Sequence, residues 1–235
     1  MCSSDLLLGR CDVIVAGLDG GGLDDLYGFN ALGRDRTTRE WLSWSRAWCH
    51  ESVLLRRQSI ASRLQDFAAA GELTICKHAG DDVAEMVELI RIIKDRGLLG
   101  AVSVDPAGLG EMVEALAAID VTVENELLIG APQGFGMMTA IKAAERRLEN
   151  GCVAEDQRRH DLSMRHAPSA LMDWCVGNVK IEPTATAIRA TKQNAGDAKI
   201  DPWMATMNAV CVMSRNPEAK GSVYTAERGL LVISV

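Results

Sequence analysis

A short run of apolar, β-branched residues, Cys11 to Leu18 (CDVIVAGL), ends abruptly in Asp19 and three consecutive glycines, Gly20-Gly21-Gly22. A run of that length reads as a buried strand, and the glycines read as a tight turn that residues with side chains enter only at a cost. A second run, Leu98 to Val104 (LLGAVSV), ends in Asp105-Pro106. Continuous rather than alternating hydrophobicity marks a strand covered on both faces, so this segment reads as a central parallel strand. Two such strands require helices on both sides, which commits the chain to a layered α/β domain.

The rest of the pattern agrees. Leu26 to Leu32 and Glu40 to Trp48 read as second and third strands, joined to the first by tight turns into an antiparallel meander. A helix is expected over Glu51 to Ala70, with Val53, Ile60, Leu64 and Phe67 at helical spacing and Gly71 as its stop. Leu73 to Cys76 is strand-like, and a second helix opens at Asp81-Asp82, buries Val83, Met86, Val87, Ile90 and Ile93, and closes at Gly97. Beyond the central strand, a helix is expected over Gly108 to Ala118, a strand at Val121 to Val123 and a helix over Gly136 to Leu148. The arginine-punctuated stretch that follows is loop-rich, with a short helix at Ala170 to Val176 and short strands at Asn178 to Ile181 and Ala187 to Ala190. Asp201-Pro202 begins a helix that buries Met204, Met207 and Cys211, and Asn216-Pro217 ends it. The reading is one domain over residues 1–217, with residues 218–235 as a tail that can be flexible.

Composition removes several classes. At 235 residues and 48% hydrophobic, the chain has enough apolar surface for a full core. Its 25 Lys plus Arg against 32 Asp plus Glu, net −7, argue against a nucleic-acid binder working by bulk charge. No apolar run approaches the roughly 18 residues that span a bilayer, and no basic region precedes Leu6-Leu7-Leu8, so neither membrane span nor secretory signal is expected. Seven cysteines without a C-x-x-C pair fit reduced thiols in a cytoplasm better than a disulfide frame or a zinc site. No repeat or low-complexity tract occurs.

Chemistry concentrates at three aspartates, each where an apolar element meets a loop: Asp19, Asp105 and Asp201. In an open sheet, neighbouring strands deliver their carboxyl ends to one crevice. Carboxylates gathered there repel one another unless a divalent cation compensates, and all-oxygen donors favour Mg²⁺ or Mn²⁺ over Zn²⁺. Each has a plainer explanation too. Asp19-Gly20 is a hairpin dipeptide, Asp105-Pro106 a strand exit, and Asp201 before Pro202 an N-cap with proline at the first helical position.

Gly17-Leu18-Asp19, Asp25-Leu26 six residues later, Val102-Ser103-Val104-Asp105, Gln133-Gly134-Phe135, Trp174 to Asn178, and Lys192 followed by Lys199-Ile200-Asp201-Pro202-Trp203-Met204-Ala205 with Asn208-Ala209 occur in that order. In this series the chain resembles the nuclease half of the large terminase subunit of tailed bacteriophages, from about Asp12 to Pro217. The resemblance implies an RNase H-like (RuvC-like) fold, with a mixed sheet of antiparallel meander and parallel strands flanked by helices. It implies a two-ion Mg²⁺ or Mn²⁺ endonuclease that cuts concatemeric viral DNA during packaging in the bacterial cytoplasm. Asp19, Asp105 and Asp201 then match the catalytic, metal-binding carboxylates, and Asp25, with Asp24 beside it, matches a supporting acidic position. Gln133, Asn178 and Lys192 match recurring positions without an assigned role. The implied partners are double-stranded DNA, a terminase ATPase domain, the small terminase subunit and the portal. Such an ATPase carries a P-loop, and no G-x-x-x-x-G-K-[ST] occurs here, so this chain is expected neither to hydrolyse ATP nor to move DNA by itself.

With an unfavourable total charge, DNA contact has to be local. The candidates are Arg34, Arg36 and Arg39 in the turn after the second strand, the groups Arg146-Arg147, Arg158-Arg159 and Arg165, and Lys192. Trp41, Trp44 and Trp48 read as core, and the four histidines share no metal-ligand spacing. Two rival functions use the same residues. The Asp19–Gly22 turn also resembles the phosphate-cradling hairpin of actin-like ATPases and sugar kinases, although no second glycine-rich phosphate loop follows. A packaging module that has lost catalysis is the other.

Overall fold

The computed structural model describes residues 4–105, 110–131, 135–184, 186–193 and 197–220. Gln133, the loop after Asp105 and the tail beyond residue 220 lie outside them.

Strand β1 (Cys11–Gly20) is the axis of the molecule. It pairs antiparallel with β2 (Tyr27–Asp35), which pairs antiparallel with β3 (Trp41–His50), so the expected meander is present. On its other side β1 pairs in parallel with β5 (Leu99–Val104), and β6 (Leu128–Gly130) pairs in parallel with β5. Two strands, β4 (Leu73–Cys76) and β7 (Met164–His166), share the outer edge of β3, giving the order β4-β3-β2-β1-β5-β6 with β7 beside β3. A separate hairpin, β8 (Val179–Pro183) with β9 (Ile188–Lys192), lies off the sheet.

Helices cover both faces, as strands buried on two sides demand. One face packs against α1 (Ser4–Arg10), α4 (Asp81–Asp95) and α5 (Gly110–Ala118), with Leu7, Met86, Ile90 and Leu116 among its buried residues. The other packs against α6 (Phe135–Cys152) and α8 (Asp201–Met213) through Val13, Val15, Ala140, Met207 and Val210. Toward β4, α2 (Ser52–Arg56), α3 (Gln58–Ala69) and α7 (Ala170–Gly177) close a third cluster around Val53, Leu64 and Cys175. Trp41 and Trp48 are core residues, as expected, and Trp44 is half-buried.

Four expectations are corrected. Val121 to Val123 is not a strand: Thr122 and Asn125 exchange side-chain to backbone hydrogen bonds in both directions, and this local turn displaces the strand to Leu128–Gly130. The helix over 51–70 is two helices, because Arg57 leaves helical geometry (φ −123°, ψ 57°) and its guanidinium reaches Asp24. The loop-rich stretch contains β7, held by the buried Glu40, whose carboxylate accepts from Ser163 Oγ at 2.7 Å and Arg165 Nη2 at 2.6 Å. Burial opposes the charge on Glu40, but these two donors win and hold its carboxyl below the usual range. Finally, Arg34 is in no turn: it is a buried β2 residue donating to Asp12 and Asn216.

Candidate metal centre

The local sequence places the site at the carboxyl end of β1. Asp19 and Gly20 still pair with Gly28 and Tyr27, so Asp19 is a strand residue rather than part of the hairpin loop. Positive φ at Gly20 (99°), Gly21 (109°) and Gly22 (114°) then turns the chain through a region closed to most residues. In the parallel ladder Leu18 faces Val104, so Asp19 and Asp105 emerge at the same level on adjacent strands, whose spacing is about 4.8 Å.

Asp201 arrives from α8, which crosses β1 and β2 at main-chain contact. A Cβ on Gly17 would lie 2.0 Å from Ala205 O, and one on Gly28 would lie 2.5 Å from Asp201 C and O. Only glycine permits this approach, and it sets the first turn of α8 beside the end of β1. A Cβ on Gly20 would fall 3.1 Å from Asp201 Oδ1. Asp201 is the first helical residue, with Ile200 as the cap and no side-chain cap bond, so the capping explanation fails. Its carboxylate is 4% exposed, and Oδ2 has no hydrogen-bond partner among the described residues.

Electrostatics follow from this crowding. Burial, then the charges of Asp201 and Asp105, push Asp19 up to about 8, with Lys192 opposing. Burial, then Asp25, push Asp201 up to about 7, against Lys192 and Lys199. Asp25 behaves oppositely. Burial works against its charge, but Lys199 Nζ at 2.8 Å from Oδ1 and Lys192 Nζ at 3.0 Å from Oδ2 overcome it and hold the carboxyl below its usual range. Lys199 is 1% exposed and also donates to Asp24 O, a buried ammonium that no motif announced. Asn178, on the stretch before β8, donates to Lys199 O and so ties the hairpin base to the same network.

A divalent cation fits this donor set. The donors are all carboxylate oxygens, two of them raised by burial and neighbouring carboxylates, and one buried oxygen has no partner among the described residues. The fit has a limit: among the described residues no three His, Cys, Asp or Glu side chains close into a finished cage, and Asp25 is already engaged by two lysines.

Of the cations read as DNA contacts, Lys192 alone reaches this site. Arg36 donates to the carbonyls of Arg10 and Cys11. Arg39 pairs with Asp12, Arg158 with Glu155, and Arg159 with Asp161. Arg147 lies 3.6 Å over the Trp41 ring and donates to two carbonyls, while Arg146 is exposed on α6.

No protein-family model and no curated protein matches the sequence. Solved structures do match the fold. The HK97 bacteriophage large terminase aligns with TM-score 0.65 at 20% identity, over 90% of this chain and 42% of that one. The chain shares its RNase H-like fold with that large terminase. It spans less than half of its length. The large terminase nuclease of thermophilic phage G20c with bound magnesium aligns at TM-score 0.44 and 15% identity, over 84% of this chain and 80% of that one. The large terminase nuclease domain of bacteriophage SPP1 with bound Mn aligns at TM-score 0.41 and 12% identity, over 92% and 93%. Within the RNase H-like fold, Asp19 and Asp105 occupy the ends of the central strands and Asp201 the start of the helix packed across them. No described helix is long and apolar enough to cross a membrane.

Proposed function

We propose that the chain is a Mg²⁺- or Mn²⁺-dependent DNA endonuclease of the large-terminase type, which cuts concatemeric viral DNA in the bacterial cytoplasm during packaging. It would act with a terminase ATPase domain, small terminase subunit and portal. The observation that carries this reading is the buried Asp201 carboxylate, with one oxygen unpartnered among the described residues, set against Asp19 at the end of β1. Asp19, Asp105 and Asp201 would hold the metal, with Asp25 in support through the two lysines rather than as a free ligand. Held by these carboxylates, two divalent ions would supply an activated water and stabilise the leaving oxygen of a phosphodiester.

The chain's own residues do the rest. Burial works against the Lys192 ammonium, but Asp201, Asp25 and Asp19 keep it charged above its ordinary range, a fixed positive group facing an incoming phosphate. The lysine-held Asp25 fixes the loop after Gly22 against the strand of Lys192, so the carboxylates do not spread under mutual repulsion. Additional DNA contact by Arg34, Arg36, Arg146, Arg147, Arg158 and Arg159 would be weak and salt-sensitive, since all but Arg146 are engaged within the protein.

Nicking of supercoiled plasmid in Mn²⁺ tests the proposal. Asp19→Asn and Asp201→Asn should reduce nicking to background, and Asp105→Asn should retain DNA binding while failing to cut. Full activity in either of the first two variants overturns the assignment.

A further inference from the structure

Strand β3 has two partners on its outer edge and a gap between them. β7 covers Trp41–Ser43 and β4 covers Ala47–His50, which leaves Trp44–Arg46 without a neighbouring strand. Main-chain groups alternate sides along a strand. Trp41 N–H donates outward to Ser163 O, and Glu51 N–H, ten residues on, donates outward to Cys76 O. The β2–β3 ladder has no register shift, so Ser45 also turns its N–H and C=O to the outer edge. Neither group has a hydrogen-bond partner among the described residues.

This gap opens into a cavity of about 480 Å³. The Ser43 and Ser45 hydroxyls that line it accept from Asn30 Nδ2 at 2.7 and 2.8 Å, so each keeps its own O–H to donate. The walls are apolar: Met164, Met172, Val176, Trp203 and Met207. The rim is acidic. Asp173 is exposed with no ion-pair partner among the described residues, while the Glu72 carboxylate is spent on Ser169 and the start of α7.

We propose that this cavity binds an extended peptide segment of another protein, which fills the gap between β7 and β4. The ligand class follows from the chemistry. One donor and one acceptor from a single residue, pointing outward from a strand, are answered together by a peptide main chain lying alongside. An apolar small molecule would cover both without pairing them. The exposed carboxylate of Asp173 on this rim favours a lysine or arginine flanking the inserted apolar residues. Trp203 and Met207 belong to α8, so the occupant touches the helix that begins with Asp201. The inference does not depend on the nuclease reading.

The test uses the full chain, ¹⁵N-labelled, with a panel of capped peptides of pattern Lys-Φ-Thr-Φ-Thr-Φ, Φ being Val, Ile, Leu or Met. At least one member should bind, shift the Ser45 amide resonance and slow its solvent exchange about tenfold. N-methylation of the peptide's central residues should weaken binding about tenfold, as should Asp173→Asn, which removes the rim charge without placing a cation in the first turn of α7. No binding by any member overturns the proposal. So does equal binding of the N-methylated form, which would mean an apolar cavity without strand pairing, or a Ser45 shift produced by a DNA duplex and not by peptide.

Discussion

Replacing Gly17 by alanine gives a sharp test of how α8 is seated. Glycine inside a strand is normally a liability, worth roughly 0.5–1 kcal/mol relative to alanine, so the substitution should stabilise if space exists. The structure predicts the opposite sign. The new methyl would meet Ala205 O at 2.0 Å and Ala209 N at 2.7 Å. A comfortable carbon–oxygen contact is about 3.3 Å, so α8 must retreat by more than ~1 Å. Both obstructing atoms are helix main chain, which no rotamer change can move. Overpacking costs about 1–3 kcal/mol, and a main-chain clash belongs at the upper end. For a domain of this size ~3 kcal/mol corresponds to a loss of about 6–12 °C in melting temperature. The assay is thermal unfolding by circular dichroism with calorimetric titration of Mn²⁺, since retreat of the helix also withdraws Asp201. Gly9→Ala in α1, where a Cβ would meet nothing, is the control and should melt no lower than the parent. A Gly17→Ala protein as stable as the parent would refute the seating of α8.

Other outcomes follow from the site. Asp19 and Asp201 titrate near 8 and 7 when folded, against about 3.9 unfolded, so the unfolded chain releases those protons first. Their contribution to stability is therefore full below pH ~4 and is lost as pH rises to about 8. In EDTA, Asp19→Asn should flatten the fall of melting temperature over that window, and Mn²⁺ should stabilise the parent more at pH 8 than at pH 5; an unchanged slope would contradict the site. Asp25→Asn strands the buried Lys199 ammonium, with an expected cost of about 3–5 kcal/mol in urea unfolding, and Lys199→Met in the same chain should recover part of it. Among the described cysteines Cys152 is exposed and the others are buried, with burial pushing the Cys49 thiol up to about 12, so iodoacetamide followed by mass spectrometry should label Cys152 before Cys49.

The parts legible in the sequence were those whose signal is local and apolar. β1 and β5 announce themselves as continuous hydrophobic runs, and each runs into one of the aspartates proposed as metal ligands. α8 was visible from Asp201-Pro202 and its apolar face. Invisible were features decided by distant partners. β7 exists because Glu40 recruits Ser163 and Arg165 across more than a hundred residues. Arg34 looked like a surface cation in a turn and is a buried strand residue, because Asp12 and Asn216 receive its guanidinium. Asp25 reads as a supporting acidic position, and only the fold places Lys192 and Lys199 on its two oxygens. Gly17 and Gly28 read as ordinary strand glycines, and only the helix above them explains the absence of a side chain.

The seating of α8 also has a consequence in time. Asn208 donates to Leu18 O across 190 residues of sequence, whereas β1 and β2 meet through a hairpin a few residues long. Loop-closure entropy makes the near pairing early and the far one late. A growing chain can thus complete the meander while its carboxylates are still apart, and Asp201 joins Asp19 only when the helix docks. Chemistry that depends on all three aspartates would begin as an all-or-none event at the end of folding, and premature chains ending before α8 would carry a sheet with no reactive centre.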